Sequence, residues 1–238
     1  MRTGPGRRIL DLLFPARCVV CDGIVGRQGE AVCEACRDKI LYVREPCCLK
    51  CGKQLRQAER EYCEDCRRMP HFYRQGTALY DYGSMADSIF RFKYKGRMEY
   101  AAFYGRDLYE KKKQWLRAIH ADALIPVPVH PSRKRARGYN QAELIARELS
   151  RHSGIALKTS YVRRVRKTRP LKSLSHAERQ NNLKRAFKIT ANDVKLNTIV
   201  IIDDIYTTGA TVDAMARALK ESGVGEVYFM ALTVGRGM

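Results

Sequence analysis

Residues 199–211 read IVIIDDIYTTGAT. Ile199 to Ile202 are all β-branched, and a short apolar run of this kind bounded by turn formers predicts a strand buried on both faces. That strand delivers two carboxylates, Asp203 and Asp204, at its carboxyl end. A loop of small residues follows, Thr207-Thr208-Gly209-Ala210-Thr211, and then a helix from about residue 211 to Ser222, stopped by Gly223. Open α/β sheets bind ligands outside the carboxyl ends of their strands. Gly209 lets backbone approach a ligand closely. The amides of 207–211 face a helix N-terminus, where an anion is stabilised. Two acids beside that anion site would repel a polyanion, so they must take hydroxyls or a metal. A sugar carrying a 5′-phosphate meets both demands. Helix capping alone would not call for two acids, three threonines and a glycine together.

Outward from this segment, strands alternate with helices. Strands are predicted over 76–83, 123–129, 157–165 and 227–234, and helices over 85–92, 98–119 and 142–153, the last closed by Gly154. FKYKGR (Phe92–Arg97) reads as a basic, aromatic turn, and HPSRKRARGYNQ (His130–Gln141) as a basic loop. The alternation predicts a parallel α/β sheet over residues 71–238.

Residues 1–70 have a different texture. Eight of the nine cysteines form Cys-x-x-Cys pairs, Cys18/Cys21, Cys33/Cys36, Cys48/Cys51 and Cys63/Cys66, each pair starting 15 residues after the last. Two thiolates on one tight turn suit zinc, and two such knuckles complete a tetrahedral site. A layout period of 30 residues pairs the first knuckle with the second and the third with the fourth, as two sequential ribbons. The uniform spacing leaves an interleaved cross-brace open. A segment with so few large apolar groups would fold on its metal. One or two structural Zn²⁺ are expected. Cys47 reads as a bystander in the turn, with competition with Cys48 as the alternative, and His71, after the last knuckle, is at most a spare ligand. His120 and His152 read as surface residues. His130 and His176 lie in basic loops, and neither is expected to be catalytic.

The 238 residues are 45% apolar and 29% charged, which excludes global disorder. No run approaches the ~20 apolar residues of a membrane span, and the N-terminal apolar stretch is too short for a signal-peptide core. A cytoplasmic protein without membrane insertion is expected. The net charge is +20, and residues 130–185, with 16 basic and 3 acidic side chains, hold +13 of it. Such clustering points to a polyanionic partner. Tyr94, Tyr139 and Tyr161 lie among the basic residues, either as stacking platforms for bases or as core.

The 199–211 segment resembles the phosphoribosyl-diphosphate (PRPP) signature of type I phosphoribosyltransferases in its strand, its acidic pair and its T-T-G-x-T loop. The order of paired cysteines, FKYKGR, IPVP…RKRARGYNQ, SLSHAERQNNLKRAF and this signature is similar, over essentially the whole chain, to the competence protein ComF family. The resemblance implies a phosphoribosyltransferase-like parallel sheet with helices on both faces, behind a double zinc ribbon. It implies PRPP held with Mg²⁺ by Asp203, Asp204, Thr207, Thr208, Gly209, Ala210 and Thr211. Arg135, Arg137 and Gly138 would lie near the pyrophosphate, where Arg forks suit phosphate. Residues 167–184 occupy the position of the loop that closes over such sites. The resemblance further implies a role in DNA uptake or DNA use, with single-stranded DNA on the ribbons and basic stretch, and competence machinery proteins as partners. The alternative is an active phosphoribosyltransferase with a nucleobase or amine acceptor. A ribbon adaptor whose α/β domain has lost its ligand is disfavoured by the intact acids and loop. The sequence leaves the oligomeric state open.

Overall fold

The computed structural model describes residues 15–25, 30–165, 186–190 and 196–235. A five-stranded parallel sheet has the order β1-β7-β6-β2-β3, from β1 (Gln75–Asp81), β2 (Ala123–Pro126), β3 (Ala156–Leu157), β6 (Thr198–Tyr206) and β7 (Glu226–Val234). A separate antiparallel hairpin pairs β4 (Val162–Arg164) with β5 (Phe187–Ile189). Among the described residues the α-helices are α1 (Glu64–Arg68), α2 (Tyr82–Tyr94), α3 (Tyr100–Ala118), α4 (Pro131–Arg137), α5 (Gln141–Ser153) and α6 (Ala210–Glu221).

The apolar run in β6 is buried because both its faces are covered. Ile199 and Ile201 join one core with α6 and the hairpin, and Val200 and Ile202 join the other with α2, α3 and α5. This is the two-residue alternation of a central strand. The ribbons divide along the same plane. Cys48, Cys51, Leu55 and Cys63 belong to the α6-side core, whereas Val19 belongs to the opposite one. Between them the 41–50 segment covers the edge of β1, with Val43 N–H donating to Leu79 O and Gly76 N–H to Lys50 O. A side chain at Gly52 would stand 2.7 Å from Thr77 Cα, so the turn of the third knuckle is seated directly on β1.

The structure departs from the sequence reading in four places. The strand predicted to end at Ile202 runs to Tyr206, because nine-residue β7 pairs with it as far as Val234. The basic loop at 130–141 contains helix α4, started by Pro131 with the His130 side chain as cap and ended by left-handed Gly138. The predicted 157–165 strand breaks after Leu157, and its halves serve different sheets. Phe92, Lys93 and Tyr94 are the last helical residues of α2 rather than a turn. The expected closing loop at 167–184 lies outside the described residues.

Candidate functional site

β6 sets the acidic pair. Successive strand residues point to opposite faces, so Asp204 turns toward α2 and Asp203 toward the hairpin side. Lys93 Nζ lies 2.9 Å from Asp204 Oδ1, with the two side chains 16% and 13% exposed. Asp203 Oδ1 accepts from the Asp204 amide at 2.8 Å. Burial first, and the Asp204 charge second, push the Asp203 carboxyl up to about 8, against the pull of Lys93 and Arg164. Arg164 on β4 is itself lowered to about 10, by burial and then by Arg133.

After Tyr206 the chain turns through exposed Thr207 and half-buried Thr208 to Gly209, which has φ 77° and precedes α6. Two constraints require glycine there. The left-handed conformation disfavours a side chain, and a Cβ would collide with the Tyr206 hydroxyl. Tyr206 is stacked on Phe229 at 4.6 Å, and its hydroxyl shares a 2.7 Å hydrogen bond with the Tyr73 hydroxyl. Asp203, Thr207, Thr208, Gly209, Ala210 and Thr211 line one small cavity, and the first-turn amides of α6 have no partner within their own helix.

β2 ends beside β6, with Pro126 opposite Ile202, so α4 begins at the same end of the sheet. Arg135 is exposed. Arg137 is held: it donates to the Gln141 Oε1 and Tyr94 hydroxyl oxygens, both at 3.2 Å, and lies 4.8 Å from the Tyr94 ring centroid. Tyr94 is 57% exposed, and Phe90, one turn earlier, is 51% exposed with ring centroids 5.1 Å apart. Tyr139 and Tyr161 are core residues, 5% and 6% exposed, and are not stacking platforms. The Tyr139 hydroxyl donates to Phe92 O.

The cysteines form two groups, Cys18/Cys21/Cys33/Cys36 and Cys48/Cys51/Cys63/Cys66, each with its sulfurs within 4.8 Å of one another. The pairing is sequential, not cross-braced. Cys21 and Cys33 sulfurs are 3.8 Å apart, and Cys51 and Cys63 sulfurs 3.7 Å. A tetrahedron with Zn–S bonds of about 2.3 Å has edges of about 3.8 Å. Both sets therefore fit structural zinc. The amides of Cys33 and Gly23 donate to the Cys18 and Cys21 sulfurs, the backbone support usual for thiolate ligands. Cys47 stands outside both groups, with its sulfur against Arg44 O. His120 is exposed and His152 half-buried against Tyr109. His130 caps α4, and His176 lies outside the described residues.

Three contributors were missed in the sequence. Lys93 follows Ile89 by four residues, so it shares the buried stripe of α2, and a lysine there needs a partner. Tyr206 had no readable signal. His71 is no spare ligand. Its Nδ1–H donates to Asp213 Oδ2 at 2.5 Å, and its Nε2 faces the Cys66 sulfur at 3.5 Å.

Cysteine clusters at the front and a parallel sheet with an acid-tipped central strand behind define a double zinc ribbon joined to a phosphoribosyltransferase fold. Family models agree: a double zinc ribbon domain matches residues 9–67 and a phosphoribosyl transferase domain residues 135–236. Competence protein F of Haemophilus influenzae is 29% identical over 92% of this chain and 97% of its own. Competence protein ComFC of Bacillus subtilis is 29% identical over 87% and 89%. DNA utilization protein YhgH of Escherichia coli K12 is 27% identical over 93% and 98%. The two matched domains and these relatives, alike over nearly the whole chain, support the resemblance to the competence protein ComF family. Among the described residues, no helix is long and apolar enough to cross a membrane.

Proposed function

We propose that this chain binds PRPP at the end of β6 and acts in DNA uptake or DNA use, contacting single-stranded DNA. The observation that carries the first part is the cradle at 203–211: two strand-end acids, a left-handed glycine and a helix N-terminus in sequence. The 5′-phosphate sits on the amides of 207–211, where the helix dipole favours it. Ribose hydroxyls donate to the Asp203 and Asp204 carboxylates. Mg²⁺ bound with the diphosphate would screen its charge. Lys93 holds Asp204 in place, Arg164 adds positive charge near Asp203, and Arg135 and Arg137 supply cations toward the pyrophosphate end.

The names of the relatives, competence proteins and DNA utilization proteins, support the second part. So does the surface. Exposed Phe90 and Tyr94, with Arg137 against the tyrosine face, offer flat apolar area beside a cation, the combination on which unpaired bases stack. The same platform suits a free base, which keeps phosphoribosyl transfer as the second reading. In that case the C1–oxygen bond to pyrophosphate breaks as a bond from C1 to an acceptor nitrogen forms. A cytoplasmic location accords with free cysteines and PRPP as ligand.

Calorimetric titration with PRPP and Mg²⁺, repeated with single-stranded DNA present, tests both parts together. Saturable heat with PRPP and a shifted affinity in the presence of DNA are expected. No heat in either titration would contradict the ligand assignment.

A further inference from the structure

We infer that His71 and Asp213 lock the second zinc cluster to the loop at 207–211, so that metal in one and ligand in the other stabilise each other. The ligand half of this statement rests on the PRPP reading; the mechanical half does not. His71 Nε2 lies 3.5 Å from the Cys66 sulfur, and its Nδ1–H donates to Asp213 Oδ2. The other oxygen of Asp213 accepts from the Phe72 amide at 2.9 Å. Asp213 stands in the first turn of α6, and its own amide donates to Gly209 O at 2.7 Å. One carboxylate thus ties the chain leaving the second ribbon to the turn that shapes the loop.

A parallel route runs through rings. His71 stacks on Tyr73 at 4.7 Å, the Tyr73 hydroxyl bonds the Tyr206 hydroxyl, and the Tyr206 hydroxyl packs against Gly209. His71 is buried, with 1% of its side chain exposed, so its own contacts in both routes are shielded from solvent. Groups behind metal ligands fix ligand orientation, and their loss commonly weakens metal binding 10- to 100-fold. Coupling between two bound species is reciprocal. The first cluster provides an internal control. Among the described residues its polar ties run to α2, to α3 and to the turn between them, through Asp22 with Arg97 and Tyr100, and Arg91 with Val20 O, and none reaches the 207–211 loop.

The test is zinc release from the full chain to a chromophoric chelator, with the slow and fast ions assigned by Cys18→Ser and Cys63→Ser variants. Asp213 touches no cysteine. Asp213→Ala is nevertheless expected to speed release from the second cluster about tenfold and leave the first unchanged. Asp213→Asn, which keeps one acceptor oxygen, should restore part of the difference. Amides 207–213 should exchange hydrogen faster in Asp213→Ala. Equal release rates in wild type and Asp213→Ala would overturn the inference whether or not PRPP binds. With PRPP and Mg²⁺ at a concentration calorimetry shows to be saturating, the second ion should leave several-fold more slowly in wild type and not in Asp213→Ala. Saturation without any slowing would overturn the reciprocal part. Absence of PRPP heat would count against the proposed ligand and leave the Asp213 comparison decisive for the lock.

Discussion

Lys93 Nζ sits 2.9 Å from Asp204 Oδ1, and both side chains are more than four-fifths buried. The pair joins the last turn of α2 to the tip of β6. A buried charge without its partner is costly, so Lys93→Met should lower stability by about 3–5 kcal/mol. Lys93→Met combined with Asp204→Leu should recover much of that loss, because no orphaned charge remains. Urea denaturation of the single and double variants measures both effects.

Asp203 adds a pH dependence. Its carboxyl is pushed up to about 8 by burial and then by Asp204, against about 3.9 in an unfolded chain. Between these values the folded protein holds a proton the unfolded chain has released, so this group's contribution to stability falls as pH rises through the window. Ligand binding runs the other way. Ribose hydroxyls donate to a carboxylate, not to its protonated form, so PRPP affinity should rise from about pH 6.5 to about pH 8.5, by at most tenfold per unit. Asp203→Asn should flatten the profile. Calorimetry in buffers of different ionisation enthalpy should also detect proton release in the wild type.

Gly209→Ala meets two penalties, the left-handed backbone and the Tyr206 hydroxyl. A cost of about 1–2 kcal/mol is expected from the backbone alone. Adding Tyr206→Phe should relieve only the closest contact, because two ring carbons still stand 2.9 and 3.0 Å from the added Cβ. Thermal unfolding of the single and double variants should therefore show partial recovery.

Much of this was legible in the sequence because local rules dominate there. The β-branched run, the acids and the threonine loop sit within thirteen residues, and the cysteine period marks both clusters. The rest depended on distant partners. The extension of β6 to Tyr206 follows from pairing with β7, which no local propensity reports. His71 meets Asp213 across 142 residues of sequence. Tyr139 and Tyr161 lie among basic neighbours in sequence but face inward: Tyr139, in the turn between α4 and α5, packs into the core on one side of the sheet, and Tyr161, just before β4, into the core on the other. Only Lys93 could have been found, as a charge on the apolar stripe of α2.

The basic surface should bind single-stranded DNA in a salt-sensitive way. Neutralising about five phosphates would give a slope of about −3 to −4 in log K against log salt. Arg135 and Arg163 are both exposed, and replacing them with glutamine should make the slope shallower by about 0.7 for each phosphate that is no longer neutralised. Phe90→Ala with Tyr94→Ala should instead weaken binding about tenfold, within the range for stacked bases, and leave the slope alone. An oligonucleotide lacking bases should not distinguish this aromatic double variant from wild type.

Elemental analysis of protein purified without chelator should find two zinc ions per chain, one for each cluster of four sulfurs. A value near one would mean that a single cluster fills.

The most direct measurement is PRPP and Mg²⁺ binding, by calorimetry, to the wild type and to a chain carrying Asp203→Ala and Asp204→Ala. The wild type should saturate at one PRPP per chain. The double variant, still holding its zinc, should lose at least about 1.5–3 kcal/mol of binding energy, the range for a hydrogen bond to a charged group. Equal affinity in the two proteins would contradict the account and place the ligand elsewhere.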